Sequence, residues 1–120
     1  WMVESPARTV VVSDETGAVR GTANMYANRS GPGCHVASAS FMVDPAHAGR
    51  GHGRALCEDM LRWAAAEGFR AVVFNAVAAT NTAAIRLYES LGFEIVGTVP
   101  EGFRHPTQGF VGLHMMHRRL

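Results

Sequence analysis

The amino-acid sequence predicts a mixed α/β fold, a sheet of mixed strand direction with helices packed on it, and three observations predict it. Short apolar or alternating runs separated by turn residues fill the first third of the chain. The middle switches to a helical period directly after a glycine-rich run, Gly49-Arg50-Gly51-His52-Gly53. Strand-like and helical segments then alternate until two strands close the chain, so the predicted order is β-β-β-α-β-α-β-β.

Each element has its own signal. Thr9 to Val12 is a β-branched run, and Asp14-Glu15-Thr16-Gly17 has the residues of a hairpin turn. Val19, Gly21, Ala23 and Met25 alternate with Arg20, Thr22 and Asn24, the period of a half-buried strand. Arg29 to Gly33 reads as loop, and a third strand runs from His35 to Val43, where Asp44-Pro45 stops ladder pairing. From Arg54 to Glu67, Leu56, Met60 and Ala64 share a stripe with Leu61 and Ala65 beside it. Arg54, Glu58 and Arg62 lie opposite, and Gly68 stands where a helix-terminating glycine belongs. Ala71-Val72-Val73-Phe74 has the continuous apolarity of a strand buried on both faces. Thr80 or Asn81 can cap a second helix, in which Ala84, Ile85, Tyr88 and Leu91 recur at helical spacing before Gly92. Phe93 to Val99 and Gly109 to Met116 read as two further strands joined by a loop containing Gly and Pro.

Length and composition bound what such a chain does. Its 120 residues, 48% hydrophobic and 18% charged, suit one domain, residues 1–120, with a real core. A net charge of +1 is too balanced for a nucleic-acid footprint, and all 11 basic residues are Arg. Cys34 and Cys57 match neither a metal spacing nor a disulfide framework, and the six histidines share no ligand spacing, so no metal is expected. With no apolar run near the ~20 residues of a membrane span and no signal segment, a cytoplasmic protein with no membrane partner is the expectation.

The chemistry concentrates where the third strand meets the first helix. Glycines allow a sharp turn and close approach of the backbone to a ligand. The first helical amides have no intrahelical partners, and with the positive end of the helix dipole they form a seat for a phosphate or diphosphate. Arg50 and Arg54 can add charge-assisted contacts. A tight turn without a ligand is the plainer alternative. A Walker-type loop is excluded because the chain contains no lysine, and a dinucleotide fingerprint fits poorly because the loop follows the third strand.

The segment Val43-Asp44-Pro45-Ala46-His47-Ala48-Gly49-Arg50-Gly51-His52-Gly53-Arg54-Ala55-Leu56 resembles the Arg/Gln-x-x-Gly-x-Gly/Ala signature of the GCN5-related N-acetyltransferases, the GNAT superfamily. Asn81-Thr82-Ala83-Ala84-Ile85-Arg86-Leu87-Tyr88-Glu89-Ser90-Leu91-Gly92-Phe93 resembles the same family's Asn-x-x-Ala-x-x-Leu-Tyr-x-x-x-Gly-Phe block. The two occur in the family's order and spacing, and the resemblance extends from Thr9 to Met116.

The resemblance implies a GNAT-like fold and acetyl-CoA, or a related acyl-CoA, as donor. Its diphosphate would rest on the amides of Gly49, Arg50, Gly51, His52, Gly53, Arg54 and Ala55. Its pantetheine arm would pair with backbone of Phe41, Met42 and Val43 in a gap opposite the strand Ala71–Val77, much as an added strand satisfies a sheet edge. A plain core strand is compatible with the same residues. Tyr88 falls on the family's tyrosine, whose phenol can protonate the departing thiolate; on periodicity alone it is a packed aromatic. Asn81 can contact the coenzyme, cap the helix, or do both.

The chain also departs from the family. Its leading Arg/Gln position is Ala48. The position of a general-base glutamate in relatives that acetylate protein N-termini is Ala76, and the adjacent Asn75 cannot take a proton. His35, His105 and His114 are bases only by their chemistry. The family's first strand and two helices have only Trp1 to Arg8 in their place, so an N-terminally incomplete chain is expected. The implied activity is transfer of an acetyl group to a primary amine, on a small molecule or a peptide, by direct attack. The alternative is an acyl-CoA-binding sensor of little activity. A homodimer through the last strand is compatible with the sequence and not required by it.

Overall fold

The computed structural model describes residues 7–29, 31–44, 46, 49 and 51–120. Among them run β1 (Ala7–Ser13), β2 (Val19–Ala27), a 3-10 turn (Gly31–Gly33), β3 (Val36–Val43), α1 (His52–Ala66), β4 (Ala71–Ala78), α2 (Thr82–Ser90), β5 (Glu94–His105) and β6 (Gly109–Arg119). The element order is the one predicted. The chain forms two compact units, Trp1–Val72 with Leu120, and Val73–Arg119.

In the first unit β1, β2 and β3 pair antiparallel in that order. Gly21, Ala23 and Met25 on β2 are buried as the alternation predicts, whereas Val19 is exposed. Val19 lies where the hairpin register shifts, opposite Ser13, and this takes it off the alternating face. Helix α1 packs against all three strands. It buries Leu56, Cys57, Met60, Leu61 and Ala64, while Ala65, expected beside the stripe, is exposed. Cys57, Met60, Leu61 and Ala64 stand at i, i+3, i+4 and i+7, so the buried arc takes in Cys57 and leaves Ala65 on its far side. The solvent face carries the Arg54–Glu58 ion pair at 3.8 Å.

Helix α1 ends in a Schellman motif: the Gly68 N–H donates to Ala65 O and the Phe69 N–H to Ala64 O. The Phe69 ring then packs beside Trp63, with centroids 5.4 Å apart.

In the second unit the strand order is β4, β6, β5. Phe74, Val77, Phe93 and Met116 are its buried apolar side chains. Helix α2 buries no residue completely; Ala84, Ile85 and Tyr88 are half-buried. It ends as α1 does, with the Gly92 N–H donating to Glu89 O and the Phe93 N–H to Tyr88 O. This places the Phe93 ring 4.6 Å from Phe74 and 5.9 Å from Tyr88. Gly92 has φ +92°, and an added Cβ would stand 3.0 Å from Arg118 Nε. Gly92→Ala is therefore expected to lower stability by about 1–2 kcal/mol in chemical denaturation.

Strand β5 continues to His105 instead of ending at Val99. Its register to β6 slips between Val99 and Phe103, across Pro100, Glu101 and Gly102, and then resumes. Periodicity ends at that slip, which is why the sequence reads as a loop there. The turn beyond is closed by His105, whose Nδ1 accepts from the N–H groups of Thr107 and Gln108 at 3.1 and 3.2 Å.

Candidate functional site

The residues singled out from the sequence fall in both units. Phe41, Met42, Val43, Gly49, Gly51, His52, Gly53, Arg54 and Ala55 belong to the first, Asn81 and Tyr88 to the second. Arg50 and Ala48 lie outside the described residues.

Helix α1 begins two residues earlier than its periodicity indicates, at His52, because Gly51 turns the chain into it. Gly51 is the N-cap in a left-handed conformation, φ 82°, and no side chain caps the helix. The first helical bond runs from the Ala55 N–H to Gly51 O at 3.0 Å. The amides of His52 and Gly53 therefore precede any helical acceptor and point along the axis. No acidic residue occupies the first turn, so nothing there offsets the positive end of the dipole. A Cβ built on Gly49 or Gly51 would meet no atom of the described residues within 4 Å, so among them the space over the turn is open. His52 Nδ1 is buried with no hydrogen-bond partner among the described residues. Uncapped amides, open space and an orphaned ring nitrogen together fit a multiply charged anion with several acceptor oxygens. Arg54, on the exposed side of the same turn, can add its guanidinium.

Strand β3 leads into this turn. Its ladder to β2 runs from Ala27↔Ala37 to Gly21↔Val43. Its parallel ladder to the start of β4 consists of Val36↔Ala71 and Ala37↔Val72, and ends there although β3 continues to Val43. Phe41 and Val43 are half-buried and the Met42 side chain is 73% exposed. A short parallel ladder beside a complete antiparallel one is the backbone arrangement that a peptide-like ligand can extend.

Behind the exit of β3 stands an ionic cluster that sequence reasoning missed. Arg20 on β2 donates through Nε to Asp14 Oδ2 at 2.7 Å and through NH1 to Asp44 Oδ2 at 3.2 Å. Asp14 also accepts from the Thr16 hydroxyl and from the Thr16 and Ala18 N–H groups. The Thr16 hydroxyl, then Arg20, hold the Asp14 carboxyl far below the usual carboxylate range, and Arg20 is itself raised, chiefly by Asp14. A lowered carboxyl pKa adds stability at neutral pH that drains away once pH falls below about 3.9, the unfolded value. Wild type is thus expected to lose more stability than Asp14→Asn between pH 6 and pH 3, read by urea denaturation at both. In the sequence Asp14 had only the signature of a turn residue and Asp44 only that of a strand stop; nothing local links them to Arg20.

In the second unit Asn81 caps α2: its Oδ1 accepts from the Ala84 N–H at 3.2 Å. The capping role is thus observed. Tyr88 is half-buried with its ring 4.6 Å from Phe74. Of the histidines considered as bases, His105 is held in the hairpin turn described above, His114 Nδ1 is hydrogen-bonded to Thr98 Oγ1 at 2.8 Å, and His35 is exposed. No group of three or more His, Cys, Asp or Glu able to hold a metal occurs among the described residues. No helix among them is long and apolar enough to cross a membrane.

The model of the acetyltransferase (GNAT) family matches residues 1–93. A GCN5-related N-acetyltransferase from Kribbella flavida has a solved structure that superimposes with TM-score 0.93 at 63% identity, covering 100% of this chain and 73% of that one. A phosphinothricin acetyltransferase from Sinorhizobium meliloti, solved in complex with acetyl-CoA, gives TM-score 0.84 at 28% identity over 93% of this chain and 60% of that one. The L-methionine sulfoximine/L-methionine sulfone acetyltransferase of Salmonella typhimurium is 37% identical over 93 residues, 77% of this chain and 54% of the relative. Among the curated relatives it matches, the chain spans about half of the length or less.

Proposed function

Since the chain belongs to the GNAT acetyltransferase family, we propose that residues 1–120 act as one catalytic domain that moves an acetyl group from acetyl-CoA to a primary amine, in the cytoplasm. The observation that carries this reading is the uncapped, acid-free start of α1 at Gly51, open above and led into by β3. Acetyl-CoA supplies the acyl group as a thioester with a good leaving group. The amides of His52 and Gly53, with Gly49, Gly51, Ala55 and the guanidiniums of Arg50 and Arg54, would hold its diphosphate. Backbone of Phe41, Met42 and Val43 would pair with the pantetheine amides. Tyr88 holds a proton on its phenolic oxygen for the departing sulfur. Asn81 acts by fixing the start of α2, the helix that carries Tyr88.

Amino-acid-like amines come first as acceptors. Relatives of the chain are named for methionine sulfoximine, methionine sulfone and phosphinothricin, all small amino-acid analogues. The absence of a carboxylate at Ala76 and Asn75 accords with an amine that arrives neutral or loses its proton to water.

Calorimetric titration with acetyl-CoA, run beside a thiol-release assay on a panel of amino acids, amino-acid analogues and peptide N-termini, tests the reading. Binding with release on at least one amine supports it. Binding with no release on any acceptor selects the acyl-CoA sensor, and no binding overturns both.

A further inference from the structure

A coenzyme arm paired with the backbone of β3 lies in the plane of the sheet, because ladder hydrogen bonds run in that plane. An amine then reaches the thioester from one face of the sheet or the other. Helix α1 covers the first face. Leu56 Cδ1 would stand 3.1 Å from a Cβ built on Gly21, Gly21 is opposite Val43, and Ala23, opposite Phe41, is fully buried. The second face, on which Asn24, Tyr26, Ser40 and Met42 lie, is exposed at all four.

The strand register arranges that open face in rows. Val11, Thr22 and Met42 form one, and Thr9, Asn24 and Ser40 the next. Neither row holds a charge; charge appears beyond Thr22, where Arg20 is already held between Asp14 and Asp44. Tyr26 is paired with Ser38, yet its hydroxyl is hydrogen-bonded to Ser40 Oγ at 3.1 Å, so the phenol leans one row along and joins Asn24 and Ser40. The two hydroxyls use one proton between them and keep the second. Thr9 donates to Asn24 Oδ1 at 2.9 Å, which leaves the Asn24 NH2 group as what that side chain offers a ligand. A row of neutral donors thus adjoins an uncharged row in which Val11 and Met42 are 58% and 73% exposed.

We propose that this open face receives the acceptor, and that the acceptor is an α-amino acid with an uncharged side chain. Asn24 Nδ2 and the Tyr26–Ser40 hydroxyl pair donate to its carboxylate, and its side chain lies over Met42. This rests on the function proposed above. A carboxylate brings only acceptor lone pairs, so it suits a row built of donors. A charged side chain would lose water over the uncharged row and gain no partner there.

Steady-state kinetics with acetyl-CoA test this on L-methionine sulfone, its carboxamide and L-glutamate, with calorimetry of coenzyme A alongside. Wild type should favour methionine sulfone at least about tenfold in kcat/KM over each of the other two. Asn24→Asp, an exposed change that sets like charge against the carboxylate, should raise KM for methionine sulfone at least about tenfold and for the carboxamide no more than about twofold. Tyr26→Phe and Ser40→Ala should each raise KM for methionine sulfone about three- to tenfold, with kcat within about twofold. Coenzyme A affinity should stay within about twofold of wild type in all three variants. Equal rises in both KM values in Asn24→Asp, unchanged KM in every variant, or a wild type that prefers the carboxamide or glutamate overturns the proposal. If Asn24→Asp does not fold, the same comparison on Tyr26→Phe decides. A wild type that binds coenzyme A and transfers to none of the three amines also overturns it, and leaves the donor side of the functional reading standing. A wild type that does not bind coenzyme A removes that reading itself, and this proposal with it.

Discussion

Replacing Tyr88 with Phe should reduce turnover about 10²- to 10³-fold while leaving acetyl-CoA affinity within about twofold of wild type. The two effects separate because the ring and the hydroxyl do different things. The ring packs 4.6 Å from Phe74 and 5.9 Å from Phe93, and a phenylalanine preserves that packing. Loss of the hydroxyl should therefore cost stability no more than about one hydrogen bond, ~1 kcal/mol. What disappears is an acid able to place a proton on the sulfur as the carbon–sulfur bond breaks. Steady-state kinetics with thiol release, alongside calorimetry and a thermal melt, read all three quantities. A variant with wild-type turnover would leave Tyr88 as a purely packed aromatic.

The second large effect is electrostatic and has an unusual signature. Gly53→Asp puts a carboxylate in the first turn of α1, which carries no acid in this chain. A negative charge there favours the helix, by about 0.5 kcal/mol, because it faces the positive end of the dipole. The same charge would repel a diphosphate seated on those amides. Coenzyme A affinity is expected to fall at least about 100-fold, with a melting temperature equal to or above that of wild type. Most substitutions that abolish binding also weaken the fold; this one should move the two in opposite directions. Wild-type affinity in Gly53→Asp would place the diphosphate elsewhere.

Much of this was legible in the sequence where physical signals are local. Gly68 and Gly92 announced the ends of both helices because a left-handed residue there has few substitutes, and the alternation of Gly21, Ala23 and Met25 fixed the inner face of β2. Periodicity starts α1 two residues late because His52 and Gly53 lie before any apolar residue of the stripe, and it registers only the part of a helix that packs. Cys57 escapes the pattern for a related reason: a lone cysteine among alanines and leucines does not stand out as a core residue, yet it is fully buried. Asn81 was ambiguous because capping and ligand contact ask for the same residue type. The Arg20 cluster is illegible in the sequence, since its members stand in the β1–β2 turn, on β2 and just beyond β3, and meet only through the β1–β2 and β2–β3 registers.

Strand β5 closes the strand order of its unit, and Val96, Val99, Phe103, Phe110 and Met115 on the β5–β6 hairpin are exposed. A straight ribbon of that composition would invite another chain to zip along it. The interruption from Pro100 to Gly102, with a missing amide at the proline and Glu101 at φ 52°, breaks the row of groups that such zipping requires. An irregularity of three residues thus interrupts the edge of this hairpin, and straightening it is expected to increase self-association, read by light scattering across a concentration series.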